Sequence, residues 1–257
     1  MDKIEKETES AKPEQVGSPG AQTLTIQEAL DLGLQHHTAG DLSKAEDIYQ
    51  QILQTDPNHP QVLHLLGVVS HQMGENERAV DLITKALAIK PGFPEAQNNL
   101  GLALQELGRL EEAVTNYYKA LAIKPDYARA QYNLGNTLQE LGRLDEAVGS
   151  YRDSIAIEPG YSDAHNNLGN AYLKLERLDE ASTHYRIAIA INPDLAMAHN
   201  NLGNSLKGLG RLDDAVTHYH KAIEIKPDYA DAYYNLGTGL NELGRLEEAV
   251  ASFHKAL

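Results

Sequence analysis

The sequence predicts an all-α protein, a right-handed α-solenoid of tandem helical hairpins that repeat every 34 residues. Three observations carry this. Proline recurs at Pro57, Pro91, Pro125, Pro159, Pro193 and Pro227, always 34 residues apart. Glycine keeps the same period from Gly33 through Gly67, Gly101, Gly135, Gly169 and Gly203 to Gly237. An alanine column (Ala45, Ala79, Ala113, Ala147, Ala181, Ala215, Ala249) and an aromatic column (Tyr49, Tyr117, Tyr151, Tyr185, Tyr219, Phe253, with Ile83 in the second copy) stay in phase with both. Self-similarity at such a period marks an array in which each hairpin buries its apolar face only against its neighbours.

The elements follow in order. Residues 1–22 are polar, charged and punctuated by Pro13, Gly17, Pro19 and Gly20, which predicts a disordered leader. The array, 23–257, divides into repeats 26–59, 60–93, 94–127, 128–161, 162–195, 196–229 and an incomplete 230–257. The first helix opens on Thr25-x-x-Glu28, a capping box. In the fourth repeat Leu144, Ala147, Tyr151 and Ile155 fall at three- and four-residue spacing, one apolar stripe of a helix. Ala147 there admits the neighbouring helix and Tyr151 fills the gap beside it. Gly135, inside the preceding helix, needs the same close-packing reason. Pro125 closes one repeat and opens the next. Between the paired helices stands Gly74, Gly108, Gly142, Gly210 or Gly244, but the fifth repeat has Glu176, whose side chain must strain or reshape the turn. Acidic pairs after the turns of repeats three to seven, such as Asp145-Glu146, sit in the first turn of a helix, where carboxylates complement the dipole. The seventh repeat stops at Leu257 without an atypical polar cap, so the chain is expected to be a segment of a longer protein, or to cover its open end by self-association.

The column set of Leu-Gly, then Ala, then an aromatic, then Pro resembles the tetratricopeptide repeat, and the resemblance covers residues 26–257. The family's early Trp is missing, its place held by Ala29, Leu63, Gln97, Gln131, His165, His199 and Tyr233. The resemblance implies that the first helix of each hairpin lines a concave surface. The word AHNNLGN, at 164–170 and again at 198–204, belongs to those helices. On a helical wheel Asn166, Asn167 and Asn170 share one arc opposite Leu168 and Gly169. Two columns result, Asn99, Asn133, Asn167, Asn201 and Asn235, and beside it Asn136, Asn170 and Asn204. Each amide offers a donor and an acceptor, matching the main chain of an extended peptide, so these eight residues form a candidate peptide-binding ladder. The alternative is that they tie neighbouring helices together.

The words NNLGN and LGRLDEAV also resemble the superhelical arm of O-linked N-acetylglucosamine transferases and their bacterial relatives. That implies a substrate-recruiting arm whose catalytic domain is absent from these 257 residues. The first two repeats depart from the ladder with Asp31 and Leu65 in the Asn column. There Leu30, Leu34, Leu65, Val68 and Leu102 form a second candidate, an apolar groove for an amphipathic helix or a patch covered by the leader or another copy. The family's carboxylate-clamp variant is excluded: Arg129, Asn133 and Asn167 supply part of it, but Met197 and Asn201 stand where further basic residues are needed.

A net charge of −15 argues against a nucleic-acid partner. Cysteine is absent, which removes disulfides and thiolate metal sites. The histidines lack ligand spacing: His218 and His220 project about 200° apart on a helix, and His37 and His71 find no carboxylate to complete a set. His165 and His199 belong to the packing face. No single asymmetric constellation of catalytic groups exists, so neither an enzyme activity nor a cofactor is expected. No signal-type or membrane-spanning run is present, and the expected location is cytoplasmic. The function predicted is a scaffold that binds extended protein segments.

Overall fold

A computed structural model describes residues 15–16 and 24–257; the leader positions 1–14 and 17–22, and with them the predicted disorder, lie outside the described residues. The described chain is helical apart from a two-residue ribbon, β1 (Gln15–Val16) and β2 (Leu24–Thr25), paired antiparallel with Gln15 opposite Thr25. It divides into two compact units, residues 1–123 and 124–257.

The first unit holds three hairpins: α1 (Ile26–Thr38) with α2 (Leu42–Thr55), α3 (Pro60–Gln72) with α4 (Asn76–Ile89), and α5 (Pro94–Glu106) with α6 (Leu110–Ile123). The predicted capping box starts α1: the Thr25 hydroxyl accepts from the Glu28 amide at 3.2 Å, and the Glu28 carboxylate accepts from the Thr25 amide at 2.8 Å. The ribbon lies against α1 and α2. The core of the first repeat gathers Leu30, Ala45, Tyr49, Ile52, Val62 and Leu66.

The second unit holds four hairpins: α7 (Ala128–Glu140) with α8 (Leu144–Ile157), α9 (Ser162–Lys174) with α10 (Leu178–Ile191), α11 (Ala196–Gly208) with α12 (Leu212–Ile225), and α13 (Ala230–Glu242) with α14 (Leu246–Ala256). In this unit α8 packs on α9, α10 on α11 and α12 on α13, the first helix of the next hairpin each time. First helices also touch one another (α7 with α9, α9 with α11, α11 with α13), which puts them on the tighter side of the stack.

One turn design joins every hairpin. In the fourth repeat the Arg143 amide donates to the Leu138 carbonyl at 2.9 Å and the Gly142 amide to Gln139 at 3.1 Å. This is a Schellman closure, and it requires the left-handed backbone that Gly142 adopts at φ +75°. Glu176 is forced into the same conformation, at φ +60°, with the equivalent bonds from Arg177 to Tyr172 and from Glu176 to Leu173. The turn is therefore strained rather than reshaped. Behind the turns the glycine column admits the aromatic column: a Cβ on Gly135 would lie 2.6 Å from Tyr151 Cε1. The acidic residue three beyond each turn arginine also pairs with it, as Glu146 does with Arg143, in addition to facing the dipole.

Candidate functional site

The asparagines are bonded to one another. Tyr151, Tyr185 and Tyr219, all fully buried, donate their hydroxyls at 2.8 Å to the side-chain oxygens of Asn136, Asn170 and Asn204. Burial pushes these phenols well above the ordinary tyrosine range, so they remain donors at neutral pH. The same oxygens accept from the next repeat. Asn167 Nδ2 donates to Asn136 Oδ1 at 2.9 Å, and Asn201 Nδ2 donates to Asn170 Oδ1 at 3.0 Å.

Asn167 is saturated. Its second N–H donates to the Tyr132 hydroxyl at 3.0 Å, and its oxygen accepts from Asn166 at 3.1 Å and Asn170 at 3.4 Å. Asn201 also donates toward Asn166 Oδ1 at 3.4 Å. Asn235 donates to Asn200 Oδ1 at 3.0 Å. Asn133 is buried, with 7% of its surface exposed. In the first unit Asn99 faces His64, its Nδ2 donating to His64 Nε2 at 2.9 Å. That geometry suits a neutral imidazole, and burial lowers the His64 pKa to about 4.

Placing all three asparagines of the word on one open arc is corrected in part. Asn166 and Asn200 are 2% and 4% exposed, and they act as acceptors between repeats. The wheel treated a helix as having one packed side, whereas a middle hairpin is covered on two. The open donors lie in the other column: Asn204 Nδ2 has no partner among the described residues, and Asn170 retains one N–H.

The apolar candidate is also altered. Leu30 is 3% exposed and lies in the core, so it cannot line a groove, whereas Leu34, Leu65, Val68 and Leu102 are half-buried. The tyrosine column follows the change. With Leu34 in place of Asn, the buried Tyr49 hydroxyl has no partner; with Leu102, Tyr117 turns to Gln105 at 3.3 Å. The Tyr–Asn pairing was missed in the sequence, although its signal is there: Asn136, Asn170 and Asn204 each precede a tyrosine by 15 residues.

The histidines on the packing face were also expected to be no more than core. His165 and His199 are buried, but each meets a second histidine, His184 or His218, with Nδ1 to Nδ1 at 3.1 Å. Elsewhere His37 bonds Gln72 and His71 bonds Asn76. Among the described residues no three His, Cys, Asp or Glu side chains gather around a metal position.

Comparison with known proteins agrees with this architecture. Family models described as tetratricopeptide repeat match residues 36–103, 93–159, 150–181 and 230–257, and one described as TPR repeat matches 169–210 and 203–238. No curated protein matches the chain. Among solved structures, MamA is 29% identical over 61% of this chain and 92% of its own, with a TM-score of 0.58. YrrB, described as a TPR protein with an unusual peptide-binding site, is 27% identical over 68% of this chain and 90% of its own, with a TM-score of 0.58. PilF of Pseudomonas aeruginosa shares the fold at 20% identity, covering 80% of this chain and 94% of its own, with a TM-score of 0.72. Repeat models that run almost end to end from residue 36, glycines seated on an aromatic ring in every hairpin but the second, where Gly67 meets Ile83, and solved neighbours of the same kind lead to one conclusion: the chain belongs to the tetratricopeptide repeat family.

Proposed function

We propose that the chain is a protein-interaction scaffold that binds an extended segment along the first helices of its hairpins. Family membership and the peptide-binding site ascribed to the 27% identical YrrB support the general reading. The observation that carries the specific one is the unpaired amide of Asn204 with the remaining N–H of Asn170, both facing away from oxygens already occupied. These positions offer donors alone, so they suit main-chain carbonyls. Asn167, Asn201 and Asn235 then hold the helices that present them.

Replacing Asn170 and Asn204 by Asp keeps the acceptor for each tyrosine and removes the donor. Binding to an immobilised library of extended peptides should fall by about thirtyfold while the melting curve holds, each of the two lost hydrogen bonds being worth about 1 kcal/mol. Unchanged binding by the double variant would sink the proposal.

The substrate-recruiting arm of an O-linked N-acetylglucosamine transferase is the second reading, supported by the NNLGN words and by the continuous asparagine chain through α7, α9 and α11. Reading the coding sequence beyond Leu257 for a nucleotide-sugar-binding domain tests it. Self-association is a third element of the reading. Tyr234, Leu246 and Val250 are 61%, 59% and 54% exposed, whereas the equivalents of Val250, Val148 and Val216, are 7% and 5% exposed beneath the next hairpin. Light scattering should show concentration-dependent association that Val250→Lys abolishes; a monomer at all concentrations removes this element.

A further inference from the structure

Repeats five and six differ from the others in one respect, a histidine in each of their two helices. His165 on α9 meets His184 on α10, and His199 on α11 meets His218 on α12, each pair joined Nδ1 to Nδ1 at 3.1 Å with the rings stacked. A carbonyl only accepts, so the contact of His199 Nε2 with the Pro193 carbonyl at 3.3 Å fixes that nitrogen as the protonated one. Its Nδ1 is then a bare lone pair, and the proton between the rings belongs to His218. His165 also donates to a carbonyl, that of Pro159; with its Nδ1 turned to His184, the donor is its other nitrogen, which gives the shared proton of that pair to His184. Each pair is thus a bond that exists with one proton and fails with two.

The surroundings disfavour the second proton. His184 faces Arg152 of α8 and stacks on Tyr172, whose ring Arg177 also covers at 4.6 Å. His218 faces Arg186 of α10 and Arg211, and His199 faces Lys221. The carboxylates within reach, Glu180 and Asp214, are paired with Arg177 and Arg211. Behind the first pair, the Tyr172 hydroxyl is buried without a partner and the Glu176 turn is strained. His165 and His199 also directly precede Asn166–Asn167 and Asn200–Asn201, the residues that link the first helices.

We propose that the two histidine pairs are proton-operated latches: a second proton on either pair parts its two helices and slackens the asparagine links between repeats. Burial and the neighbouring cations place His184 and His218 at about 4, below the ordinary 6.5. A lowered folded-state value means that the folded chain binds fewer protons than the unfolded one. The stabilisation is therefore complete above about 6.5 and is lost as pH falls from there toward 4. The latches do not depend on the peptide-binding reading, because their test uses no ligand.

Imidazole nitrogen NMR at neutral pH should show His165 and His199 protonated on Nε2, and His184 and His218 on Nδ1. Finding the same tautomer at all four overturns the proposal whether or not any variant folds. Hydrogen exchange supplies the second measurement. Protection factors in α9–α12 should drop by about tenfold between pH 7.5 and pH 5 in the wild type, the scale of a local opening. The His184→Gln/His218→Gln variant, which retains a neutral donor, should lose less than about threefold over the same interval. An equal loss in both proteins overturns the proposal.

Discussion

Replacing Glu176 by glycine should stabilise the protein. Glu176 is exposed, its side chain makes no hydrogen bond among the described residues, and it holds φ at +60° where the other hairpin turns use glycine at +70° to +82°. A left-handed L-residue costs about 1–2 kcal/mol, and the freedom that glycine adds to the unfolded chain returns about 0.5–1 kcal/mol of that. The net gain is about 0.5–1 kcal/mol, or about 2 °C for a chain of this length. Repeat arrays open locally, so the gain should be clearest in exchange protection of α9 and α10. The reciprocal Gly142→Glu moves the strain into the fourth repeat and should lose a similar amount there. If Glu176→Gly is neutral or destabilising while Gly142→Glu is tolerated, the turn is not the source of the strain and the reasoning fails.

Three further outcomes separate occupied from orphaned groups. Tyr185→Phe removes the donor to Asn170 and should cost about 1 kcal/mol by thermal denaturation, whereas Tyr172→Phe discards a hydroxyl without a partner and should be neutral or stabilising. Gly169→Ala places a methyl 2.6 Å from Tyr185 Cε1 and should cost about 1–3 kcal/mol by the same measurement, with loss of the near-ultraviolet tyrosine signal. Arg245→Ala breaks a partly exposed pair with Glu248 and should shift the melting temperature by less than about 2 °C.

The sequence made the array legible because its period is rigid. The Thr25 cap, the glycine–aromatic seats and the anomalous Glu176 turn follow from spacing and stereochemistry alone. The candidate site was legible only as a set of residues. A helical wheel ranks the faces of one helix but holds no information about the helix beside it, so Asn166 read as open when its oxygen accepts from the next repeat. Leu30 failed for the same reason, being enclosed by side chains of α2 and α3. The histidine pairs join residues 19 apart on opposite helices, a separation at which neither partner signals the other without the hairpin geometry.

The saturation of Asn167 sets a rule for how such an array can change in length. Its donors land on Tyr132 and Asn136 of the preceding repeat, so its partners are supplied by position in the array rather than by its own hairpin. A repeat duplicated or deleted between the fourth and sixth brings an acceptor at both matching positions, Tyr132 and Asn136 in the fourth, Asn166 and Asn170 in the fifth, Asn200 and Asn204 in the sixth, and every amide finds a partner again. Importing the second repeat there, with His64 and Val68 at those positions, would keep one acceptor, as His64 is for Asn99, and set the other N–H against the methyl groups of Val68. Recombination within this chain is thus free inside the asparagine block and restricted at its edge, and lineages that gain or lose repeats should do so in that block.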